Sequence, residues 1–283
     1  MRSLIVLFLT AMLVSPLVSR ADGSESPGRS LTIIKPAAGP SRLNPAFELI
    51  MEKLDNDLHY VASSPFRLTP KGTAVLGLTF LASIFLLDND GKMLGDLSGR
   101  QSNFQNDYYD AFRDLGDNIL QITAGAYLIG YLRENVDIKS AALMSLEAAA
   151  LTSLFGGAAE FILGRNGPGS TYSPKDFKPF SGFGSMPDMD TAMTFSTASV
   201  LAYGQGTFST VMYYTLATGV GLAQVYFEDA WPSDVFLGAI LGTAIGRTVA
   251  YLSSSDNNGS VSIVPMSVTG VYHAMGVKVV YSF

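Results

Sequence analysis

The chain has 283 residues, of which 48% are hydrophobic and only 15% charged, with a formal net charge of −6. That balance excludes a disordered chain, and without any run of Lys or Arg it excludes DNA and RNA as partners. Cysteine is absent, which excludes a disulfide framework, a thiolate metal site and a cysteine nucleophile.

Residues 1–21 read as a secretory signal: Arg2 gives the positive start, Leu4 to Val18 the apolar run, and Ser19-Arg20-Ala21 a small-x-small cleavage site. The alternative, an uncleaved anchor, is disfavoured because an apolar run of about 15 residues is short for a membrane span. The mature protein is thus expected outside the cytoplasm, in the periplasm or membrane of the cell envelope. Residues 22–70 form an N-terminal arm: Asp22 to Pro45 is rich in Gly, Ser and Pro, and Phe47 to Val61 carries Leu49, Ile50, Leu54 and Leu58 at helical spacing. That amphipathic helix is expected on a protein core or on a membrane surface.

Six apolar stretches follow within residues 71–253, at Thr73–Leu87, Leu115–Leu132, Ser140–Leu163, Thr191–Tyr203, Phe208–Phe227 and Val235–Leu252. Their length and Ala/Leu/Gly content predict helices, hence an all-α, six-helix bundle. The first and fourth fall short of the roughly 20 residues a bilayer needs. The second contains Asn118 and Gln121, and the third Glu147 and Glu160, which at bilayer depth would face the bundle interior. Six crossings counted from an exported N-terminus would place Arg165–Pro187 in the cytoplasm. The reading therefore leans to a soluble or peripheral bundle, with a membrane bundle as the alternative. Gly238, Gly242 and Gly246 recur at four-residue spacing, a stripe expected to pack a neighbouring helix of the same chain. Residues 254–283 change pattern, and Ser260 to Val268 and Val271 to Phe283, joined by Thr269-Gly270, predict a β-hairpin. Tyr281 and Phe283 resemble the end of the last strand of outer-membrane barrels, but one hairpin cannot close a barrel, and a packed appendage is expected.

The chain is organised around Ser185-Met186-Pro187-Asp188-Met189-Asp190-Thr191-Ala192, a loop that delivers polar side chains to the N-terminus of a buried helix. Asp188 and Asp190 suit that place as caps. This S-x-P-x-x-x-T-A resembles the central motif of the type 2 phosphatidic-acid phosphatase and haloperoxidase superfamily, usually S-F-P-S-G-H-T-A. Ala223-Gln224-Val225-Tyr226-Phe227-Glu228-Asp229-Ala230-Trp231-Pro232-Ser233-Asp234-Val235 is similar to that family's A-R-V-Y-x-x-x-H-W-P-S-D-V. Glu160-Phe161-Ile162-Leu163-Gly164-Arg165-Asn166-Gly167-Pro168 stands where its K-x6-R-P is found. The resemblance covers about Ala158 to Leu252 and implies a six-helix bundle of the phosphatidic-acid-phosphatase type.

It also implies a mechanism that this sequence does not support. In the family a third-motif His attacks phosphorus, an Asp orients it, a second-motif His protonates the leaving group, and Lys, two Arg and backbone N–H groups hold the phosphate. Here the nucleophile falls on Ala230, the leaving-group acid on Asp190, and the Lys on Glu160. The two Arg fall on Gly167 and Gln224, and the phosphate-contacting Ser on Asp188. Pro168 keeps the frame, and of the catalytic set only Asp234 survives. A nucleophile needs a lone pair and a phosphoryl site needs aimed positive charge, so both demands fail.

Within the motifs only Arg165 offsets Glu160, Asp188, Asp190 and Asp234, with Glu228 and Asp229 close by. Arg165, Asp188, Asp190 and Asp234 are the candidate ligand-binding residues. No cofactor motif is present, and if Asp188, Asp190 and Asp234 converge, a divalent cation such as Ca²⁺ or Mg²⁺ would suit their oxygens. The plainer reading has Asp188 capping a helix, Asp190 and Asp234 bonding loop amides, and Glu228 and Asp229 facing water. Asp188-Met189-Asp190-Thr191 is not the D-x-D-x-T of aspartyl-phosphate phosphatases, which needs Thr where Ala192 stands. His59 and His273 lie outside all three motifs and are expected at surface or packing positions. The expected function is a catalytically inactive envelope protein that retains a binding or structural role, with a lipid or membrane surface as its partner. The alternatives are an active phosphohydrolase or diphosphatase on a lipid-linked phosphate, and a packing subunit of an envelope complex. The sequence sets no oligomeric state.

Overall fold

The computed structural model describes residues 45–63, 70–98, 103–168, 173–182, 184–255, 260–268 and 274–282. The expected signal (residues 1–21), most of the Gly/Ser/Pro-rich arm, His273 and the Thr269-Gly270 turn lie outside them. Eight helices are present among the described residues: α1 (Pro45–Ser63), α2 (Pro70–Ser98), α3 (Asn103–Asp117), α4 (Ile119–Leu132), α5 (Val136–Leu163), α6 (Met189–Ala202), α7 (Thr207–Tyr226) and α8 (Pro232–Ser255). The antiparallel hairpin β1 (Ser260–Val268) and β2 (Ala274–Ser282) follows, in a register that pairs Ser260 with Ser282 and Val268 with Ala274.

The six apolar stretches become α2 and α4 to α8, with two changes. The first does not stop at Leu87, because the helix runs on through Asp88, Asn89 and Asp90 to Ser98. The second is broken at Asn118, which has φ −108° and ψ 12°, so that its first residues belong to α3. α3 itself was not foreseen. Its Phe112 packs where a Cβ on Gly219 of α7 would sit, 2.3 Å away, and Tyr109 stacks on Tyr226 with ring centroids 4.3 Å apart.

α6 is the centre of the bundle. Ala192, Thr194, Ser196, Ala198 and Val200 are all buried, between α5, α7 and α8. The glycine stripe of α8 makes this possible. A Cβ on Gly242 would stand 2.0 Å from the Ala192 carbonyl oxygen, and one on Gly246 2.2 Å from that of Ser196. The stripe therefore packs within the chain, as expected. Leu151, Leu237, Leu241, Ile245 and Val249 complete the core, and Val61 of α1 joins it with Leu54 and Leu58 beside it. The amphipathic helix thus lies on protein, held also by Lys53, whose ammonium donates to Glu147 of α5 at 2.5 Å.

Large apolar side chains are exposed on the outside of the bundle. On α2, Leu78, Leu81 and Phe85 lie on one face and are all more than half exposed. Leu128 and Leu132 of α4, Leu154 of α5 and Val211 of α7 are likewise exposed. Among the described residues three helical segments, Thr73–Leu97, Val136–Leu163 and Pro232–Ser254, are long and apolar enough to cross a membrane. The extension of α2 past Leu87 removes the length objection to that helix, and the exposed apolar faces run against the expected soluble or peripheral bundle.

Candidate functional site

The site is built where three chain segments meet: the turn after α5, the loop into α6, and the turn from α7 into α8. α5 ends at Gly164 in the left-handed region (φ 57°, ψ 42°), where a Cβ would collide with the Lys178 carbonyl oxygen at 1.9 Å. The turn sends Arg165 inward. Its carbonyl accepts the Ser185 N–H at 2.7 Å, which ties the first motif stretch to the second. Trp231 Nε1 donates to the Asn166 carbonyl at 2.9 Å, which ties the first to the third. The Asp188 N–H donates to the Asp234 carbonyl at 3.0 Å, which ties the second to the third. Gly167 lies beside them, with Asp229 O 3.4 Å and Ser185 Cβ 3.7 Å from where its Cβ would be. Pro168 is buried.

Arg165 is fully buried and every arm of its guanidinium is engaged. Nη1 donates to Ser233 Oγ at 2.7 Å and to Asp234 Oδ1, and Nη2 donates to Asp90 Oδ2 at 2.6 Å. Nε and Nη2 both donate to the Pro174 carbonyl, at 2.9 and 2.6 Å. The rings of Phe177 and Trp231 each lie 5.4 Å from its Cζ. Asp234, also fully buried, accepts from Ser185 Oγ on its other oxygen at 2.7 Å. The candidate ligand-binding residues Arg165 and Asp234 are therefore bound to one another.

Asp188 and Asp190 occupy other positions. Asp188 caps α6 by accepting the Thr191 N–H at 2.9 Å, as its place in the sequence predicts. Burial pushes its carboxyl up to about 6, while the bonds from Thr191 restrain the shift. Asp190 accepts from Gln224 Nε2 at 3.0 Å, which joins the positions of the family's second-motif His and third-motif Arg. Glu160, half-buried on α5, lies within electrostatic reach of Asp188, Asp190 and Asp234. Ala230, at the nucleophile position, is 1% exposed.

The expectation that Asp190 and Asp234 bond loop amides gives way to these side-chain partners. Glu228 and Asp229 are both exposed, as expected, and Asp229 also pairs with Arg113 of α3 at 2.9 Å. Asp188, Asp190 and Asp234 do not form a three-ligand metal site, and among the described residues no group of three or more His, Cys, Asp or Glu is placed to hold a metal ion. The reason is local: the cap, the Gln224 amide and the Arg165 guanidinium each draw one carboxylate in a different direction. His59 is a surface residue, 3.8 Å from Asp55.

Residues 141–257 match the family model of the PAP2 superfamily. The matched stretch holds all three motif segments and most of the α5–α8 core. Two solved structures are similar to the chain. One is LpxE of Aquifex aeolicus, 19% identical over 57% of this chain and 94% of that one, with a TM-score of 0.45. The other is the first transmembrane PAP2 type phosphatidylglycerolphosphate phosphatase from Bacillus subtilis, 16% identical over 63% of this chain and 96% of that one, with a TM-score of 0.48. None of the curated proteins matches the chain.

Two residues that bond into the motif region lie outside residues 141–257 and escaped sequence reasoning. Asp90 of α2 and Arg113 of α3 reach into the motif region from helices that carry no motif. The one signal for Asp90 is indirect: a buried Arg165 beside a single Asp needs further acceptors, and the α8 N-terminus begins Pro232-Ser233 without an acidic cap of its own.

Proposed function

We propose that this PAP2-superfamily protein is membrane-embedded, does not hydrolyse phosphate esters by the family's route, and keeps a binding or structural role in the cell envelope. One observation carries the reading: Arg165, the cation at the centre of the motif region, is spent on Asp90, Asp234, Ser233 and the Pro174 carbonyl. A phosphate entering beside Glu160, Asp188 and Asp190 would meet carboxylates where the family places Lys, Ser and His. At a separation of about 5 Å and an effective dielectric of about 20, each unit pair of like charges opposes entry by roughly 3 kcal/mol. The outward apolar faces and the three long apolar helices support the membrane placement.

The test is phosphate release by the purified full chain from a phosphatidic acid, an isoprenyl diphosphate and an aryl phosphate. The controls are Asp190→Asn and Asp229→Asn, which remove the carboxylate at the leaving-group acid position and the one that precedes Ala230 in sequence. The expected result is no release above the controls. Release that disappears in either variant would mean that a carboxylate has taken over the chemistry, and the chain would then be an active phosphohydrolase. Co-purification of a stoichiometric partner would favour the packing-subunit role among the non-catalytic ones.

A further inference from the structure

Ser233 is the second residue of α8, where backbone N–H groups have no acceptor within the helix. Its N–H donates to Asp90 Oδ1 at 2.9 Å, and its hydroxyl donates to Asp90 Oδ2 at 2.6 Å. Arg165 Nη2 donates to the same Oδ2 at 2.6 Å. Three donors from two segments thus converge on the two oxygens of one carboxylate, and Ser233, Arg165 and Asp90 are all 0% exposed. A helix N-terminus alone attracts anions modestly, but a buried guanidinium beside it makes a charge-assisted cradle. The group that fills it comes from α2, outside residues 141–257.

We propose that the Ser233 amide, the Ser233 hydroxyl and the Arg165 guanidinium form an oxyanion site that the chain keeps filled with its own Asp90 carboxylate, and that a small free carboxylate occupies it when Asp90 is truncated. The ligand class follows from shape and charge. Two coplanar oxygens satisfy all three donors, whereas a tetrahedral phosphate would turn further oxygens toward Asp234, which shares Arg165. α2 therefore acts as a plug that withholds the guanidinium from solutes and fastens itself to the start of α8. This goes beyond the proposed function and does not rest on it, because it concerns what occupies the cradle whether or not the chain hydrolyses phosphate.

The experiment uses the full chain in detergent and compares wild type, Asp90→Ala and Asp90→Asn in sodium formate and in sodium chloride of equal ionic strength. In chloride, Asp90→Ala should unfold at a lower temperature than wild type. Formate should raise its midpoint saturably, by about 3–6 °C at a tenfold excess over Kd for a chain of this size. Wild type and Asp90→Asn, whose cradles are filled by a carboxylate and by a neutral amide, should not respond. If Asp90→Ala gives no folded protein in chloride, the readout becomes folded yield, which should be recovered in formate alone. Absence of any formate-specific gain in midpoint or yield for Asp90→Ala overturns the proposal. So does an equal gain in wild type or Asp90→Asn.

Discussion

Gln224 of α7 donates a 3.0 Å hydrogen bond from Nε2 to Asp190 Oδ2 at the start of α6. In the superfamily pattern these two positions hold an Arg that grips phosphate and a His that protonates the leaving group. Their replacements satisfy each other, so a pair that would face a ligand has become a contact between helices. Gln224 is buried, and a hydrogen bond to an ionised partner there is worth more than an exposed one.

A double-mutant cycle over Gln224→Ala and Asp190→Ala should therefore give a coupling energy of about 1–2 kcal/mol in chemical unfolding. A coupling indistinguishable from zero would mean that the two side chains are independent and that Asp190 remains available to a ligand.

Much of the frame was legible because it depends on local rules. Asp188 precedes an apolar helical run and caps it, and Gly238, Gly242 and Gly246 recur at the spacing that lets two helix backbones touch. What escaped depends on partners far away in sequence. Asp90 follows Leu87 at the end of an apolar run, where acids ordinarily mark a helix end in water, yet α2 continues and buries Asp90 against Arg165. Arg113 sits on a mostly polar segment whose apolar residues Tyr108, Phe112 and Leu115 do recur at helical spacing, but its partner Asp229 emerges only once the turn after α7 is placed beside it. The three motif carboxylates divide along the same line: Asp188 accepts from Thr191, three residues on, whereas Asp190 and Asp234 accept from Gln224 and Arg165, far away in sequence.

The α6–α8 contact yields a sharper expectation. A Cβ on Gly242 would stand 2.0 Å from Ala192 O, and that oxygen belongs to a helix backbone that cannot yield alone. Gly242→Ala should destabilise the bundle by about 2 kcal/mol or more, as overpacking of a close contact does. Gly77 on α2 has nothing within 4 Å of where a methyl group would stand, so Gly77→Ala should be neutral or stabilise by roughly 0.5–1 kcal/mol through helix propensity alone. Thermal midpoints of the two variants measured side by side decide the matter, and a Gly242→Ala midpoint at or above wild type would refute the tight α6–α8 packing.

Asp188 makes stability depend on pH. Its folded carboxyl is raised to about 6 by burial, whereas an unfolded Asp titrates near 3.8. Between those values the native state holds a proton that the unfolded state has released. The contribution is therefore complete below about pH 4 and lost as pH rises through 6. Asp188→Asn keeps an acceptor for the Thr191 N–H and cannot ionise. Relative to wild type, the variant should gain about 1–3 kcal/mol on going from pH 4 to pH 7. Denaturant midpoints across that range provide the measurement, and a constant difference between the two proteins would show that Asp188 is already ionised throughout.

Restoring the nucleophile alone should not restore chemistry. Ala230→His would place an imidazole four residues before Asp234, the spacing at which the family's Asp orients its His. Asp234, however, already accepts from Arg165 on Oδ1 and from Ser185 on Oδ2. The Asp234 carboxylate is buried, so releasing either partner would leave an unpaired charge or hydroxyl. The new imidazole would lack its orienting acceptor, and Glu160, Asp188 and Asp190 would still repel the phosphate. Ala230→His should accordingly release no more phosphate than wild type from an aryl phosphate or a phosphatidic acid. Adding Glu160→Lys, Gly167→Arg, Asp188→Ser, Asp190→His and Gln224→Arg in the same chain should be required before turnover is detected. Turnover by Ala230→His alone would show that Asp234 can leave Arg165 and that the buried cluster is a looser arrangement than its hydrogen bonds imply.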